Sequence, residues 1–173
     1  MSPDQKALNE EIERLINEYG NDVLRTAYLY LKKKSLAEDA FQEVFIKVYE
    51  NYDSYRGDSS EKTWIIRITI NVCKDLLKST WFKKVLTFNE KEEHFLNLIE
   101  QDHNTQVDND LLEFVLTLPE KYREVIILYY YQGFDTNEIA SILKTKPTTV
   151  RSRLKRAKEK LKIDLTREGS FNG

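Results

Sequence analysis

The chain has 173 residues, 40% of them hydrophobic and 12% aromatic, enough to bury one core or two small ones. No apolar run reaches the length of a membrane span, the N-terminal MSPDQKALNEEIERL lacks the apolar centre of a secretory signal, and a single cysteine, Cys73, excludes an internal disulfide, so the cytoplasm is the expected location. The formal net charge is −2, but it falls in blocks of −4 over residues 1–60, +4 over 61–88, −9 over 89–143 and +7 over 144–173, a pattern that suggests two separate basic contacts rather than excluding nucleic acid.

Five glycines, three prolines and few alternating Val/Ile/Thr runs predict an all-α chain with short connections. Leu8, Ile12, Leu15, Ile16, Tyr19, Val23, Leu24, Ala27, Tyr28 and Leu31 recur at helical spacing, with a break expected near Gly20 and Asn21. In the next helix Ala37, Ala40, Phe41, Val44, Phe45 and Val48 form the core face, while Asp39, Gln42, Glu43 and Lys47 lie opposite. Taken alone, that polar face reads as solvated.

Tyr52 to Ser60 reads as a loop from its Gly, Asp and Ser content, followed by a helix from Glu61 in which Ile65, Ile68, Val72 and Leu76 face a core. Arg67, Asn71, Lys74 and Lys78 fall on one stripe of that helix. With Tyr55, Arg56 and Trp64 nearby, cations, amides and aromatics gather as they do where single-stranded bases are held; a core tryptophan beside a solvated stripe is the other reading. Cys73 reads as a small buried residue.

Residues 81–109 read as an acidic, amide-rich linker with apolar patches at Phe88, Phe95, Leu96, Leu98 and Ile99. Its two histidines, His94 and His103, have no cysteine partner, and no metal site or other cofactor is expected. A second domain then opens with LLEFVLTL, breaks at Pro119 and offers Val125, Ile126, Leu128 and Tyr129 as core candidates, with Gly133 suited to the positive φ that ends a helix. Asp135 and Glu138 can form a capping box on a short helix carrying Ile139, Ala140, Ile142 and Leu143. Lys144, Thr145 and Lys146 connect it to a helix beginning at Pro147, where the missing N–H costs nothing. Val150, Leu154, Ala157 and Leu161 face inward, leaving Thr148, Thr149, Arg151, Ser152, Arg153, Lys155 and Arg156 as hydroxyls and long cations suited to phosphates and major-groove base edges. Lys146 is a poor helix cap and puts a cation at the positive end of the dipole, a penalty that a docked phosphate would remove. The alternative is a solvated amphipathic helix.

Three motifs, AEDAFQEVFIKVY, then SYRGDSSEKTWIIRITINVCKDLLKS, then LPEKYREVIILYYYQGFDTNEIASILKTKPTTVRSRLKRAKEKL, resemble a bacterial extracytoplasmic-function sigma factor of the sigma-70 family, the small class with only the second and fourth sigma regions. The resemblance implies region 2 over residues 1–80, a linker over 81–109 and region 4 over 110–173. Asp39, Gln42, Glu43 and Lys47 would meet the β′ clamp helices of RNA polymerase core, and the β subunit would be a further partner. Tyr55, Arg56, Asp58, Ser59, Ser60, Lys62 and Trp64 would receive a base flipped from the −10 element, the stripe from Arg67 to Lys78 would hold the strand, and a pocket with backbone contacts would offset the few kcal/mol of lost stacking. Lys146, Thr148, Thr149, Arg151, Ser152, Arg153, Lys155 and Arg156 would read the duplex −35 element. The acidic linker would run toward the RNA exit path. A cognate anti-sigma factor, often a membrane-anchored one in this class, is the expected regulator; no small-molecule substrate and no catalysis are expected. The chain departs from the family where Lys144 and Lys146 replace a common Gly and Ser cap and where Thr148 stands for a common Gly, which puts the −35 base preference in doubt.

Two other classes of function fit parts of the chain. An ordinary helix-turn-helix regulator would leave the residues around Trp64 without a purpose. A nuclease would need clustered carboxylates or histidines beyond Asp39 and Glu43.

Overall fold

A computed structural model describes residues 2–79 and 109–169, which form two helical bundles with no strand among the described residues. The expected linker, including His94 and His103, lies outside the described residues except for Asn109, which begins a helix.

Among the described residues the first bundle has three α-helices, α1 (Pro3–Leu31), α2 (Lys34–Asn51) and α3 (Glu61–Lys78), each packed on the other two. Ser2 caps α1 by accepting from the Gln5 amide at 3.2 Å, and Lys32 ends it in the left-handed region. The core is made of Leu15, Val23 and Ala27 from α1, Leu36, Ala40, Val44 and Val48 from α2, and Ile65, Ile66 and Ile70 from α3, all 1% exposed or less. Each large aliphatic among them contributes about 1.5–3 kcal/mol of transfer free energy. The break expected at Gly20 and Asn21 does not occur, and α1 runs unbroken through both. Phe41 of α2 lies against Gly20, where a Cβ would stand 3.4 Å from Phe41 Cε2, at the edge of ordinary contact distance.

The buried face of α3 is also wider than its spacing suggests. Ile66, Thr69, Ile70 and Cys73 are buried with Ile65 and Val72, whereas Ile68 and Leu76 are only partly covered, because α3 packs on two helices rather than one. The expected loop after α2 begins with a 3₁₀ turn, Tyr52–Ser54, so irregular chain is confined to Tyr55–Ser60.

The second bundle contains α4 (Asn109–Thr117), α5 (Glu120–Ile126), α6 (Thr136–Leu143) and α7 (Pro147–Gly169), and α7 packs on all three others. Tyr122 to Leu128 are buried without interruption, which makes α5 the central element. Arg123 is carried inside with them and donates through Nη1 to the Leu118 carbonyl at 2.8 Å. From Ile127 to Tyr131 the helix widens into a π-turn, closed by the Gln132 amide on the Ile127 carbonyl at 3.1 Å. Widening shifts the helical phase, so Tyr129, expected in the core, is 38% exposed and Tyr130 is 54% exposed. Gly133 has the positive φ expected of it, +74°.

Candidate nucleic-acid and polymerase interfaces

Helix α7 is set up by local chemistry. The Asp135 side chain accepts from the amides of Asn137 at 2.7 Å and Glu138 at 2.9 Å, and Glu138 accepts from the Asp135 amide at 2.9 Å, completing the capping box. Lys144 then turns the chain with φ 51° and ψ 49°, the left-handed geometry for which glycine is the easy residue. The Lys146 carbonyl accepts from Val150 as α7 begins. Val150, Leu154, Ala157 and Leu161 are buried, and this anchors the exposed side.

On that side Lys146, Thr148, Arg151, Ser152, Lys155 and Arg156 are exposed and Thr149 is half-buried. Arg153 differs from its neighbours. It is partly buried, and its Nη1 donates to Glu124 Oε1 of α5 at 3.0 Å. Arg153 borders a cleft of about 340 Å³ together with Thr148, Thr149, Ser152 and Arg156 from α7. The far wall of this cleft is Lys121 and Tyr122 of α5, two residues that the sequence pattern did not single out. Arg156 hydrogen-bonds the Tyr122 hydroxyl, and with Lys121 adding positive charge it holds that phenol below the usual tyrosine range. Lys121 and Lys160 both lie over the Tyr122 ring, at 5.1 and 5.8 Å from its centroid. The signal available in the sequence was the PEKY start of α5, but only the fold brings it beside α7.

On the other flank of α7, Lys158 stands over the edge-on pair Tyr129 and Tyr130, 6.0 and 5.6 Å from their centroids. Its ammonium pKa is raised, first by the hydrogen bond and charge of Tyr130 and then by Tyr129.

In the first bundle, the loop Tyr55–Ser60 joins the 3₁₀ turn to α3. Gly57 takes φ +76°, and the Tyr55 hydroxyl donates to the Ser59 carbonyl, folding the loop on itself. Tyr55 and Trp64 are not separate walls: they stack on each other, centroids 4.8 Å apart and planes 24° apart, each half-buried. Ser60 is the N-cap of α3, accepting from the Thr63 amide at 3.1 Å, and Lys62 pairs with Asp22 of α1 at 3.5 Å. Arg56 and Asp58 are exposed at the tip. Along α3, Asn71 and Lys78 are exposed while Arg67 and Lys74 are half-buried.

On the outer side of α2, Asp39, Gln42 and Glu43 are exposed, and Lys47 pairs with Glu43 at 3.3 Å. The same face carries two apolar residues that the periodicity left unexplained, Ile46 at 52% and Tyr49 at 39% exposure, with the Tyr49 hydroxyl receiving Gln5 Nε2. Among the described residues no group of three or more His, Cys, Asp or Glu is placed to hold a metal.

The family model for sigma-70 region 2 matches residues 15–83, and that for sigma-70 region 4 matches residues 108–161. The chain is 31% identical to the RNA polymerase sigma factor SigV of Bacillus subtilis, over 88% of this chain and 90% of that protein. It is 33% identical to the ECF RNA polymerase sigma-E factor of Escherichia coli K12, over 90% and 85% respectively. Among solved structures, the sigma factor RpoE of Bartonella quintana, in complex with the anti-sigma factor NepR, has the same fold at a TM-score of 0.72 and 22% identity, over 91% of this chain and 98% of that one. With both regions matched in order and two such relatives aligned over most of their length, the chain belongs to the extracytoplasmic-function sigma factors of the sigma-70 family.

Proposed function

We propose that the three exposed faces divide the work of a sigma factor, which directs RNA polymerase core to promoters and assists DNA opening. The outer face of α2, with Asp39, Gln42, Glu43, Ile46, Lys47 and Tyr49, docks on the polymerase clamp. The loop Tyr55–Ser60 and the α3 stripe of Arg67, Asn71, Lys74 and Lys78 hold the opened −10 strand. The exposed side of α7 reads the duplex −35 element, and Lys121 and Tyr122 extend its grip onto the backbone. The divisions at residues 80 and 109 follow from these roles.

The observation that carries this reading is the α7 cleft: hydroxyls and cations from two elements converge on one concave, open surface, the arrangement that phosphate oxygens require. Control by an anti-sigma factor is read from the complex in which the structural relative was solved. The protein would work in the cytoplasm with the polymerase, and no described helix is long and apolar enough to cross a membrane.

Run-off transcription with core polymerase on a promoter library tests the reading. Promoter-specific transcripts are expected from the wild type, with −35 dependence weakened by Arg151→Ala, while Lys121→Ala weakens duplex binding across sequences and lowers its salt dependence by about one phosphate contact. A protein that binds duplex DNA but neither joins polymerase nor directs transcripts would be an ordinary helix-turn-helix regulator.

A further inference from the structure

We infer that one face of α1 positions the loop Tyr55–Ser60 by gripping the chain on both sides of it. The inference rests on reading that loop as the holder of the single −10 strand. On the near side, the Tyr52 hydroxyl donates to Glu11 Oε1 at 3.1 Å. On the far side, Glu61 accepts from Arg14 Nη2 at 2.7 Å through one carboxylate oxygen and from the Tyr19 hydroxyl at 3.2 Å through the other. The next residue, Lys62, is held by Asp22 at 3.5 Å.

Glu11, Arg14 and Asp22 recur at spacings that put them on one side of the helix. Arg14 closes the chain of bonds, because the same Nη2 that reaches Glu61 also donates to Glu11 Oε1 at 2.5 Å. A continuous path therefore crosses the base of the loop: Tyr52 to Glu11, Arg14 to both carboxylates, and Tyr19 to Glu61. Every donor in it meets an acceptor. The electrostatics agree, since the Arg14 hydrogen bond holds the Glu11 carboxyl below its ordinary value, and burial followed by Glu11 raises the Tyr52 phenol.

These groups are too open to matter much for stability. The Arg14 side chain is 41% exposed and those of Glu11 and Glu61 are 31% and 28%, the class of ion pair that contributes little to folding. What they fix is position. The Tyr55 hydroxyl closes the loop on itself and the Tyr55–Trp64 stack ties it to α3, so the stem contacts set how the loop and the start of α3 together sit against α1. A site of this kind loses rate when its parts shift by a fraction of an ångström.

The test uses the full chain bound to core polymerase, with opening followed by fluorescence of 2-aminopurine in the −10 non-template strand. Tyr52→Phe removes one hydroxyl and keeps the ring; Arg14→Met removes the bridge. Opening is expected to slow about five-fold in the first and about ten-fold in the second, with polymerase affinity and thermal unfolding unchanged. Glu10→Gln, on the same helix but in a pair with Lys6 away from the loop, should change nothing. Unchanged opening in both variants, while Arg56→Ala in the loop slows it, would overturn the inference and leave the −10 assignment standing. Unchanged opening in Arg56→Ala as well would remove that assignment and the inference with it. A parallel fall in unfolding temperature or polymerase affinity would reassign the network to folding.

Discussion

Arg153, in the second turn of α7, donates to Glu124 of α5 at 3.0 Å, and the Glu124 side chain is only 5% exposed. The pair fastens α7 to α5, the most deeply buried helix of its bundle. It also separates two arginines that look equivalent in the sequence.

Arg151→Ala should weaken −35 binding by about 1–3 kcal/mol and leave the fold alone, because Arg151 is exposed. Arg153→Ala should do both, since it removes the cation facing a buried carboxylate. Losing one partner of a fully buried pair costs about 3–5 kcal/mol, and with Arg153 29% exposed about 2 kcal/mol is expected. Urea unfolding of the two variants, set beside duplex binding, distinguishes them; equal midpoints would show that the pair does not fasten α7.

On α2, Asp39→Lys with Glu43→Lys, or Ile46→Asp alone, should abolish co-elution with core polymerase. All three side chains are exposed, so helix content and unfolding temperature should hold. Duplex binding by the second bundle should also persist, and its loss would contradict the division of roles.

Lys144→Gly should stabilise the helix-turn-helix. An L-residue in the left-handed region costs roughly 1–2 kcal/mol, partly offset by the extra freedom glycine gives the unfolded chain, so a net gain of about 0.5–1 kcal/mol is expected. That corresponds to a rise of about 4 °C in the melting of a bundle this size. Calorimetry reads it directly, and a drop in melting temperature would mean that the Lys144 side chain has a compensating contact.

Cys73 should resist alkylation in the native protein at pH 8 and react only on unfolding. It is fully buried, and desolvation pushes its thiol well above the ordinary range. The folded pKa lies above the unfolded one, so the contribution to stability is complete below about pH 8.5 and is lost as pH rises beyond it, where only the unfolded thiol ionises. Urea midpoints between pH 7.5 and 9.5 should fall, with a smaller fall in Cys73→Ala.

Much of this was readable from local pattern. The Asp135–Glu138 box, the Gly133 turn, the Pro147 start and the buried row from Val150 to Leu161 each depend on neighbours within a few residues. What pattern missed depends on distant ones. Arg153 meets a partner 29 positions away, and Tyr52 one 41 positions away, so neither role has a local signature. Tyr129 was misplaced because a π-turn breaks the period on which the prediction relied. Stacking of Tyr55 on Trp64 was hidden for the same kind of reason: composition brings the rings together without saying that they face each other.

Gly20 reads as punctuation in the sequence and instead sits inside α1 with the Phe41 ring of α2 against it. An alanine there would meet the Phe41 ring at about ordinary contact distance, whereas a longer side chain would reach into it. The ring, or α2 with it, would then have to move, and a moved α2 carries its exposed face along, so the fit of that face to a partner can change through a residue buried on the opposite side of the helix.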